Sequence, residues 1–286
     1  MTLKESLRGF EIFVRNKKAC LVYSVHPEKK FLTLRKSSDG TAFSPKQERF
    51  ELVSSLGLPE NPRAILDMAI TELPSGKYFL TYAKKSDKTS VRLYGATSSA
   101  AQRFKKIGIL SGIRAFGMVV PAYHFEQRSA LYFGDRVISI AFSSDLKKWD
   151  IFPKAVLSTR KNHFDHSTLR VARIFLTDEG IALFYLTKNM QGKLCLGAAL
   201  FDKYAPGKLL WRSSHPLWEQ PAGWQTNRTR LVGIISLRQR FIAYFQEGDG
   251  RIFADILQYA ARDTPKFLKN PLKKKQQDTA TSPTLT

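Results

Sequence analysis

The chain has 286 residues, 43% of them hydrophobic and 12% aromatic, which is enough for a sheet-rich core. Its two cysteines, Cys20 and Cys195, lie inside apolar runs without the spacing of a zinc site, so we expect buried thiols. The first residues lack the apolar stretch of a signal peptide, and no run approaches the ~20 apolar residues of a membrane span. We therefore expect a cytoplasmic location.

The formal charge of +22 is unusually high, and residues 263–286 contribute five lysines against two aspartates. Such a balance favours polyanionic partners: nucleic acid, an acidic glycan or a membrane surface. No helix-turn-helix, zinc-finger or RNA-binding motif accompanies the charge, and the basic residues are scattered. A basic, solvated surface is the plainer interpretation, and a nucleic-acid partner is the less favoured one.

Five segments along the chain share one plan, in which an apolar strand ending in an aromatic residue follows another apolar strand. The aromatic residues are spaced by 51 to 59 residues, a period that suits one four-stranded unit per repeat. They end the second strands of the five units: Tyr23, Tyr82, Phe133, Tyr185 and Tyr244. The third strands are predicted at 31–36, 91–97, 137–142, 194–200 and 252–257.

A Ser-Asp turn follows the third strand in two of the units. Asp39 precedes Phe43, and Asp145 precedes Trp149, by four residues each, and Phe104 is the matching aromatic of the second unit. Aspartate favours such turns because its side chain bonds nearby backbone amides. We expect each aromatic residue to enter the groove between two units.

The strands are continuously apolar rather than alternating, as expected where neighbouring blades cover both faces of each sheet. The sequence therefore predicts an all-β protein, a five-bladed β-propeller over residues 1–262. The polar, lysine-rich segment 263–286 is predicted to be a disordered tail.

Several motifs, in order, resemble those of the β-mannoside phosphorylase and mannosidase family, glycoside hydrolase family 130, whose members are five-bladed propellers. Residues 144–150 are similar to its S-D-L-x-x-W turn, and residues 177–185 to its T-x-x-G-W-L-L-I-Y-H strand. The resemblance continues through 196–208, 213–217, Tyr244 and Asp249, and covers roughly residues 8–260.

The resemblance implies a general acid on an innermost strand, in a motif that reads E-D-P-R in the family. The first strand of the second unit, Ile65 to Ile70, contains Asp67, which is the predicted catalytic acid. An alternative alignment places the motif at Glu60-Asn61-Pro62-Arg63 and replaces the acid by Asn61. Such an acid must be protonated when the glycosidic oxygen leaves.

This chain departs from the family at positions near that acid. Met68 and Ala69 replace the proline and arginine of the motif, Gly117 replaces an aspartate, and Leu186 replaces a histidine. The resemblance implies basic residues at such places, which the family's phosphorylases use to hold phosphate. Those near the fourth inner strand are Arg170, Arg173, His163 and His166, of which the two arginines are predicted to bind substrate.

Further candidates come from carboxylates and aromatic residues. An inverting hydrolase needs a second carboxylate about 6.5–9.5 Å from the acid, and Glu126, Asp165 and Glu72 are candidates. Tyr123, Trp218 and Trp224 are candidates for stacking on sugar rings, although core packing is the plainer role. The predicted substrate-binding set is Tyr123, Glu126, Arg170, Arg173 and Asp249.

Three functions therefore stay open. The first is an enzyme that hydrolyses or phosphorolyses β-mannosides or related oligosaccharides, with phosphate as a second substrate in the latter case and no cofactor or metal. The second is a glycan-binding propeller without catalysis, suggested by the lost motif residues. The third is a basic scaffold whose binding to a polyanion weakens steeply with salt.

Overall fold

The computed structural model describes residues 8–24, 32–85, 91–113, 116–225, 228–248, 250–259 and 264–269. These residues form five blades of antiparallel strands, I to V in chain order, and their only helices are the 3-10 turns Pro62–Ala64 and Lys266–Leu268. Within each blade the first strand is innermost and the chain runs outward by hairpins.

The strands follow the predicted repeat. Blade I contains β1 Arg8–Arg15, β2 Lys18–Ser24, β3 Leu32–Ser37 and β4 Glu48–Val53. Blade II contains β5 Ile65–Glu72, β6 Tyr78–Lys85, β7 Val91–Ser98 and β8 Arg103–Ile109. Blade III contains β9 Gly117–Val119, β10 Ser129–Phe133, β11 Ser139–Ser143 and β12 Asp150–Ile151.

The last two blades depart from four equal strands. Blade IV contains β13 Arg170–Thr177, β14 Gly180–Lys188, β15 Leu194–Phe201 and β16 Leu209–Arg212, and the short β17 Trp218–Glu219 also pairs with β15. Blade V contains β18 Arg230–Leu237, β19 Arg240–Gln246 and β20 Ile252–Ile256, with no fourth strand among the described residues.

The innermost strands close a ring around one axis. Each of them contacts the innermost strand of both neighbouring blades, and β18 of blade V contacts β1 of blade I. Gly9 on β1 donates its N–H to the side-chain oxygen of Gln246 on blade V, at 3.1 Å, across this closure. The fold is thus the predicted five-bladed β-propeller.

The core consists of five clusters of buried residues, one at each interface between neighbouring blades in the described part of the chain. Because both faces of every blade contribute to such an interface, the strands are apolar on both faces. Cys20 and Cys195 are buried free thiols, as predicted.

The Ser-Asp turns form as predicted, with one change. Asp39 and Asp145 each accept two backbone N–H bonds from the residues two and three positions later, at 2.8–3.0 Å. The serines that complete the turns are Ser37 and Ser143, one residue earlier than expected, since their hydroxyls accept the amide three positions on.

The aromatic residue associated with each turn packs on the preceding blade. The ring of Phe43 meets that of Tyr244 on blade V edge-on, with centroids 6.4 Å apart. Phe104 packs on Phe50 of blade I, at 5.4 Å, and Trp149 is buried in the cluster shared by blades II and III. The prediction that these residues fill inter-blade grooves is confirmed.

One pairing has no counterpart in the sequence prediction. The outermost strands β4 and β8 run parallel and pair from Glu51 with Arg103 to Val53 with Lys105. Blades I and II thereby become one continuous eight-stranded sheet.

The chain from Thr264 to Lys269 lies on the body of the propeller. Leu268 is buried, and the backbone N–H of Phe267 donates to the carboxylate of Glu179 at 2.8 Å. The phenyl ring of Phe267 also packs edge-on against Phe184 and Phe241. Residues 270–286 lie outside the described residues, so the predicted disorder of that segment stays a prediction.

Candidate active site

A bulge recurs near the start of four of the five innermost strands. The pairing with the second strand shifts by one residue at Phe10, Leu66, Ala172 and Val232. A bulge bends its strand and re-aims the next side chain. The residues that follow the bulges are Glu11, Asp67, Arg173 and Gly233, and three of these four are charged.

A cavity of about 470 Å³, its open mouth included, lies on the axis at this level. All five innermost strands line it, and Glu11, Asp67, Gly117, Arg170 and Gly233 are among the lining residues. The space inside it that water can occupy is about 30 Å³, which is room for roughly two water molecules.

Asp67, the predicted acid, lies in this cavity with a quarter of its side chain exposed. Its carboxylate forms an ion pair with the guanidinium of Arg170, which reaches it from blade IV. The other carboxylate oxygen accepts the backbone N–H of Met68 at 3.0 Å. The guanidinium carbon of Arg170 also lies 3.6 Å from the centroid of the Phe116 ring. The structure thus brings Asp67 and Arg170 together.

Arg170 belongs to a repeated set, since Arg8 and Arg230 are likewise the first residues of their innermost strands. Arg8 donates to the carbonyl of Ile65 at 2.7 Å, and Arg230 donates to the carbonyl of Gly9. Each acceptor is the residue just before the bulge of the next blade. Arg8 and Arg230 therefore fasten neighbouring blades together.

Arg170 departs from this repeated role and pairs with Asp67 of blade II instead. The repeat would have directed it to blade V, where the residue before the bulge is Leu231. The side chain of Arg170 thus faces the cavity and, among the described residues, does not hydrogen-bond the backbone of the next blade as Arg8 and Arg230 do.

A second carboxyl–arginine contact lies deeper on the axis. Arg173, on blade IV, donates to the carboxyl group of Glu11 at 2.8 Å, and both side chains are buried. Burial raises the pKa of Glu11 to about 8, the charge of Arg173 opposes that rise, and the charge of Asp67 adds to it. Blades I and II thus present two carboxyls to the axis, and blade IV presents an arginine to each.

Positive charge exceeds negative charge around Asp67. Burial lowers the pKa of Arg230 to about 10; the charge of Asp67 raises it, and the charges of Arg8 and Arg170 lower it further. Burial also lowers the pKa of Arg8, against the charge of Asp67. Arg170 lines the cavity, and Arg8 and Arg230 add positive charge nearby without lining it, so this end of the axis is suited to an anionic group.

The alternative alignment at residues 60–63 does not reach the axis. Asn61 precedes the first 3-10 turn, where its side chain accepts the backbone N–H of Arg63 at 3.0 Å. Glu60 is paired with Lys84 at 2.9 Å and with Lys106 at 3.1 Å. This segment precedes β5, so Asp67 is the acidic residue that blade II presents to the cavity.

The structure does not bring Tyr123 and Glu126 to the cavity. Tyr123 is buried between blades III and IV, where it donates to the carbonyl of Lys203, and burial raises its pKa to about 12. Glu126 sits in an exposed turn with a positive φ of 49° and pairs with Arg128 at 2.8 Å. Asp249 lies outside the described residues.

The other carboxylate candidates also lie off this cavity. Asp165 is fully buried in blade IV, where Arg160 binds both of its oxygens at 3.0 and 2.9 Å and Tyr185 donates to it at 2.7 Å. Glu72 is exposed at the opposite end of the axis, on a second cavity of about 630 Å³ with largely apolar walls.

The two tryptophans considered for sugar stacking take part in packing. Trp218 is buried and stacks on Phe245 with ring centroids 3.7 Å apart. Trp224 packs on Phe253 at 4.9 Å. Neither ring lines the cavity that holds Asp67.

Glu11 is the cavity residue that sequence reasoning missed. It is a lone carboxyl inside the apolar run Phe10-Glu11-Ile12-Phe13, just as Asp67 lies between Leu66 and Met68. None of the family motifs includes Glu11.

Among the described residues no group of three or more histidine, cysteine, aspartate or glutamate side chains is arranged to hold a metal ion. No described helix has the length and apolar character to cross a membrane.

No protein-family model matches this chain, and no curated protein matches it. Several solved structures do match this chain. One belongs to the GH130 family of mannoside phosphorylases, which contains glycoside hydrolases that target β-1,2-mannosidic linkages in Candida mannan; it is 18% identical, with a TM-score of 0.71 over 88% of this chain and 84% of that one.

Two further structures share the fold. The β-1,2-mannobiose phosphorylase of Listeria innocua, in complex with β-1,2-mannobiose, is 16% identical, with a TM-score of 0.68 over 89% of this chain and 91% of that one. The arabinanase of Bacillus subtilis is 13% identical, with a TM-score of 0.55 over 89% and 94%. At such identities the similarity establishes the fold, that of five-bladed propeller glycosidases.

Proposed function

We propose that this protein cleaves the glycosidic bond of β-mannosides or related oligosaccharides in the axial cavity, with Asp67 as the proton donor. The observation that carries the proposal is the position of Asp67, on an innermost strand, partly exposed in the cavity and faced by Arg170 from across the axis. Structures with this fold include a mannobiose phosphorylase and hydrolases of mannosidic linkages, which supports the substrate class.

The arginines favour phosphate over water as the acceptor. A guanidinium binds the oxygens of an oxyanion through paired N–H bonds. Phosphate that engages Arg170 would release Asp67 from its ion pair. The freed carboxyl then takes up a proton and delivers it to the leaving oxygen as the C–O bond breaks.

In the same step a phosphate oxygen forms the new bond to the anomeric carbon from the opposite face. The products are a sugar 1-phosphate and the shortened oligosaccharide, and the Asp67 carboxylate regains a proton before the next cycle. Inverting hydrolysis would instead need a second free carboxylate to activate water. Glu11, the other carboxyl of the cavity, is engaged by Arg173.

Product analysis tests this proposal. The protein is incubated with β-1,2-mannobiose and longer manno-oligosaccharides, with and without inorganic phosphate. We expect mannose 1-phosphate only when phosphate is present, and a loss of about 10²–10⁴-fold in turnover for Asp67→Asn. The control is Glu126→Gln in the exposed turn, which we expect to keep full activity. Unchanged turnover in Asp67→Asn would contradict the proposed role of Asp67, and free mannose as the sole product would contradict phosphate as the acceptor.

A glycan-binding propeller without catalysis is the second candidate. Two observations favour it: Asp67 is held by Arg170, and the cavity holds only about two waters, so a sugar ring enters only if side chains move. Calorimetry with manno-oligosaccharides separates the candidates. Binding without any product from the wild-type protein, phosphate present, supports the second and rejects the first.

A further inference from the structure

Glu11 and Asp67 occupy equivalent positions in neighbouring blades. Each is the first residue after the bulge of its innermost strand, and these strands, β1 and β5, are in contact. Both side chains line the same cavity. Each carboxyl is met by one arginine of β13, Glu11 by Arg173 and Asp67 by Arg170. The two form a carboxyl pair opposed by an arginine pair.

All five innermost strands contribute groups to the surroundings of Glu11. From β13 it accepts the Arg173 bond, and on its own strand it accepts the backbone N–H of Ile12 at 2.8 Å. From β18 comes Gly233, where a Cβ atom would lie 3.0 Å from the same carboxyl oxygen. From β5 the facing charge is that of Asp67. The β9 residues that line the cavity, Gly117 and Met118, carry no charge.

The remaining charged groups in this region are Arg8, Arg170 and Arg230, and all three interact with Asp67. Arg8 and Arg230 each interact with the charge of Asp67, and Arg170 pairs with it. Asp67 is a quarter exposed, whereas Glu11 is almost fully buried. The cavity that joins them has room for roughly two waters. Water in that space can carry a proton from the buried carboxyl to the exposed one.

We propose that Glu11 supplies, through water in the shared cavity, the proton that Asp67 delivers to the leaving oxygen, an inference that rests on the proposed function. Glu11 loses a proton and becomes a carboxylate paired with Arg173. Asp67 gains that proton and passes it to the glycosidic oxygen as the C–O bond breaks. Solvent protonates Glu11 again once the products have left. Glu11 acts through Asp67 and does not touch the substrate.

The chemistry of Glu11 suits this role. Burial raises its pKa to about 8, so it carries a proton at neutral pH, where an ordinary glutamate is ionised. Arg173 stabilises the carboxylate that forms when the proton leaves. A donor whose pKa lies near the working pH is the most effective one.

The experiment compares the pH dependence of kcat, between pH 5 and 9, in wild-type protein, Glu11→Gln and Glu11→Asp, with β-1,2-mannobiose and phosphate as substrates. We expect wild-type kcat to fall above about pH 8. Glu11→Gln should lose about 10–100-fold in kcat, lack that fall, and keep its KM. Glu11→Asp, which retains a carboxyl, should recover part of the activity.

Glu60→Gln is the matched control, because Glu60 is an ion-paired glutamate with a buried side chain, in the segment that connects blades I and II away from the cavity. We expect its pH profile to equal that of the wild type. Glu11→Gln leaves Arg173 without its carboxylate, so the double variant Glu11→Gln/Arg173→Met serves if the single variant does not fold. The double variant should show the same loss of the alkaline limb.

A titration without substrate separates this inference from the proposed function. In protein carrying ¹³C at the glutamate carboxyl, we expect one resonance to titrate near pH 8 and to be missing in Glu11→Gln. Wild-type turnover with an unchanged profile in Glu11→Gln overturns the relay and leaves the proposed function standing. The absence of that resonance also overturns the relay. The absence of wild-type turnover overturns both.

Discussion

The axis and the interior of blade IV each hold carboxylate–arginine contacts, and they differ in how completely the carboxylate is satisfied. Asp165 is fully buried and receives bonds from Arg160 and Tyr185, with Arg212 as a further charge partner. Asp67 is partly exposed in a cavity and, among the residues that the structure describes, forms an ion pair with Arg170 alone. A closed network serves the fold, whereas an open pair leaves a carboxylate that a ligand can reach.

The arginines differ in the same way. Arg212 has 8% of its side chain exposed, and it also bonds the hydroxyl of Tyr185 and the carbonyl of Ser158. Arg170 has 35% of its side chain exposed, and in the described part of the chain it contacts Asp67 and the face of Phe116. Arg212 is buried and has several partners, so it cannot exchange them freely. Arg170 can release the carboxylate of Asp67 and bind another anion in its place.

The largest expected effect on stability is that of Asp165→Asn. Removing one member of a buried pair leaves an uncompensated buried charge and costs about 3–5 kcal/mol. Asp67→Asn, at the partly exposed pair, should change the free energy of unfolding by less than about 1 kcal/mol. Urea denaturation of both variants measures the contrast. Equal losses in the two would show that the axial pair also serves the fold.

The next largest expected effect is that of pH on the free energy of unfolding, to which Glu11 and Asp165 contribute with opposite signs. Glu11 has a raised pKa, about 8 against an ordinary 4.3, so the native state binds more protons between those values. The free energy of unfolding therefore falls as the pH rises, by about 2 kcal/mol between pH 6 and 8.

Asp165 behaves in the opposite way. Burial alone would raise its pKa, but the bonds from Arg160 and Tyr185 and the charge of Arg212 outweigh burial and lower it. Its contribution to stability is thus present above the ordinary aspartate pKa and is lost as the pH falls through the lowered one. Urea midpoints between pH 2 and 9 test both signs, and Glu11→Gln should remove the alkaline fall only.

The smallest expected effect is the difference in stability between the variants Arg212→Gln and Arg170→Gln. We expect Arg212→Gln to destabilise the protein by about 2 kcal/mol, since it leaves buried Asp165 short of a charge partner. Arg170→Gln should cost less than about 1 kcal/mol, because its pair with Asp67 is partly solvated. Thermal unfolding of the two variants measures this, and a reversed order would remove the distinction between the closed and the open network.

The sequence predicted most of the fold because its signals are local. The aromatic ends of the second strands and the Ser-Asp turns repeat with the blade period, and the inter-blade positions of Phe43 and Trp149 followed from that period. The parallel pairing of β4 with β8 did not follow, because it depends on which outer strands meet in space.

The candidate site was less accessible to sequence reasoning. The placement of Asp67 followed from its position on a first strand, but its partner Arg170 was one of many arginines in a chain of charge +22. The bulges that align Glu11 with Asp67 arise from pairing with the second strand and leave no residue pattern of their own. Burial of Arg173 against Glu11 is likewise a long-range contact.

The fusion of blades I and II has a mechanical consequence for the two carboxyls. Glu11 and Asp67 lie on β1 and β5, the two edge strands of one continuous eight-stranded sheet, so an unbroken series of main-chain hydrogen bonds connects their strands. Their arginines come from blade IV, whose described strands belong to a separate sheet and do not pair with strands of blades I and II. We therefore expect motions of the ring to change the distances from the two carboxyls to their arginines first. The distance between Glu11 and Asp67 should stay nearly constant.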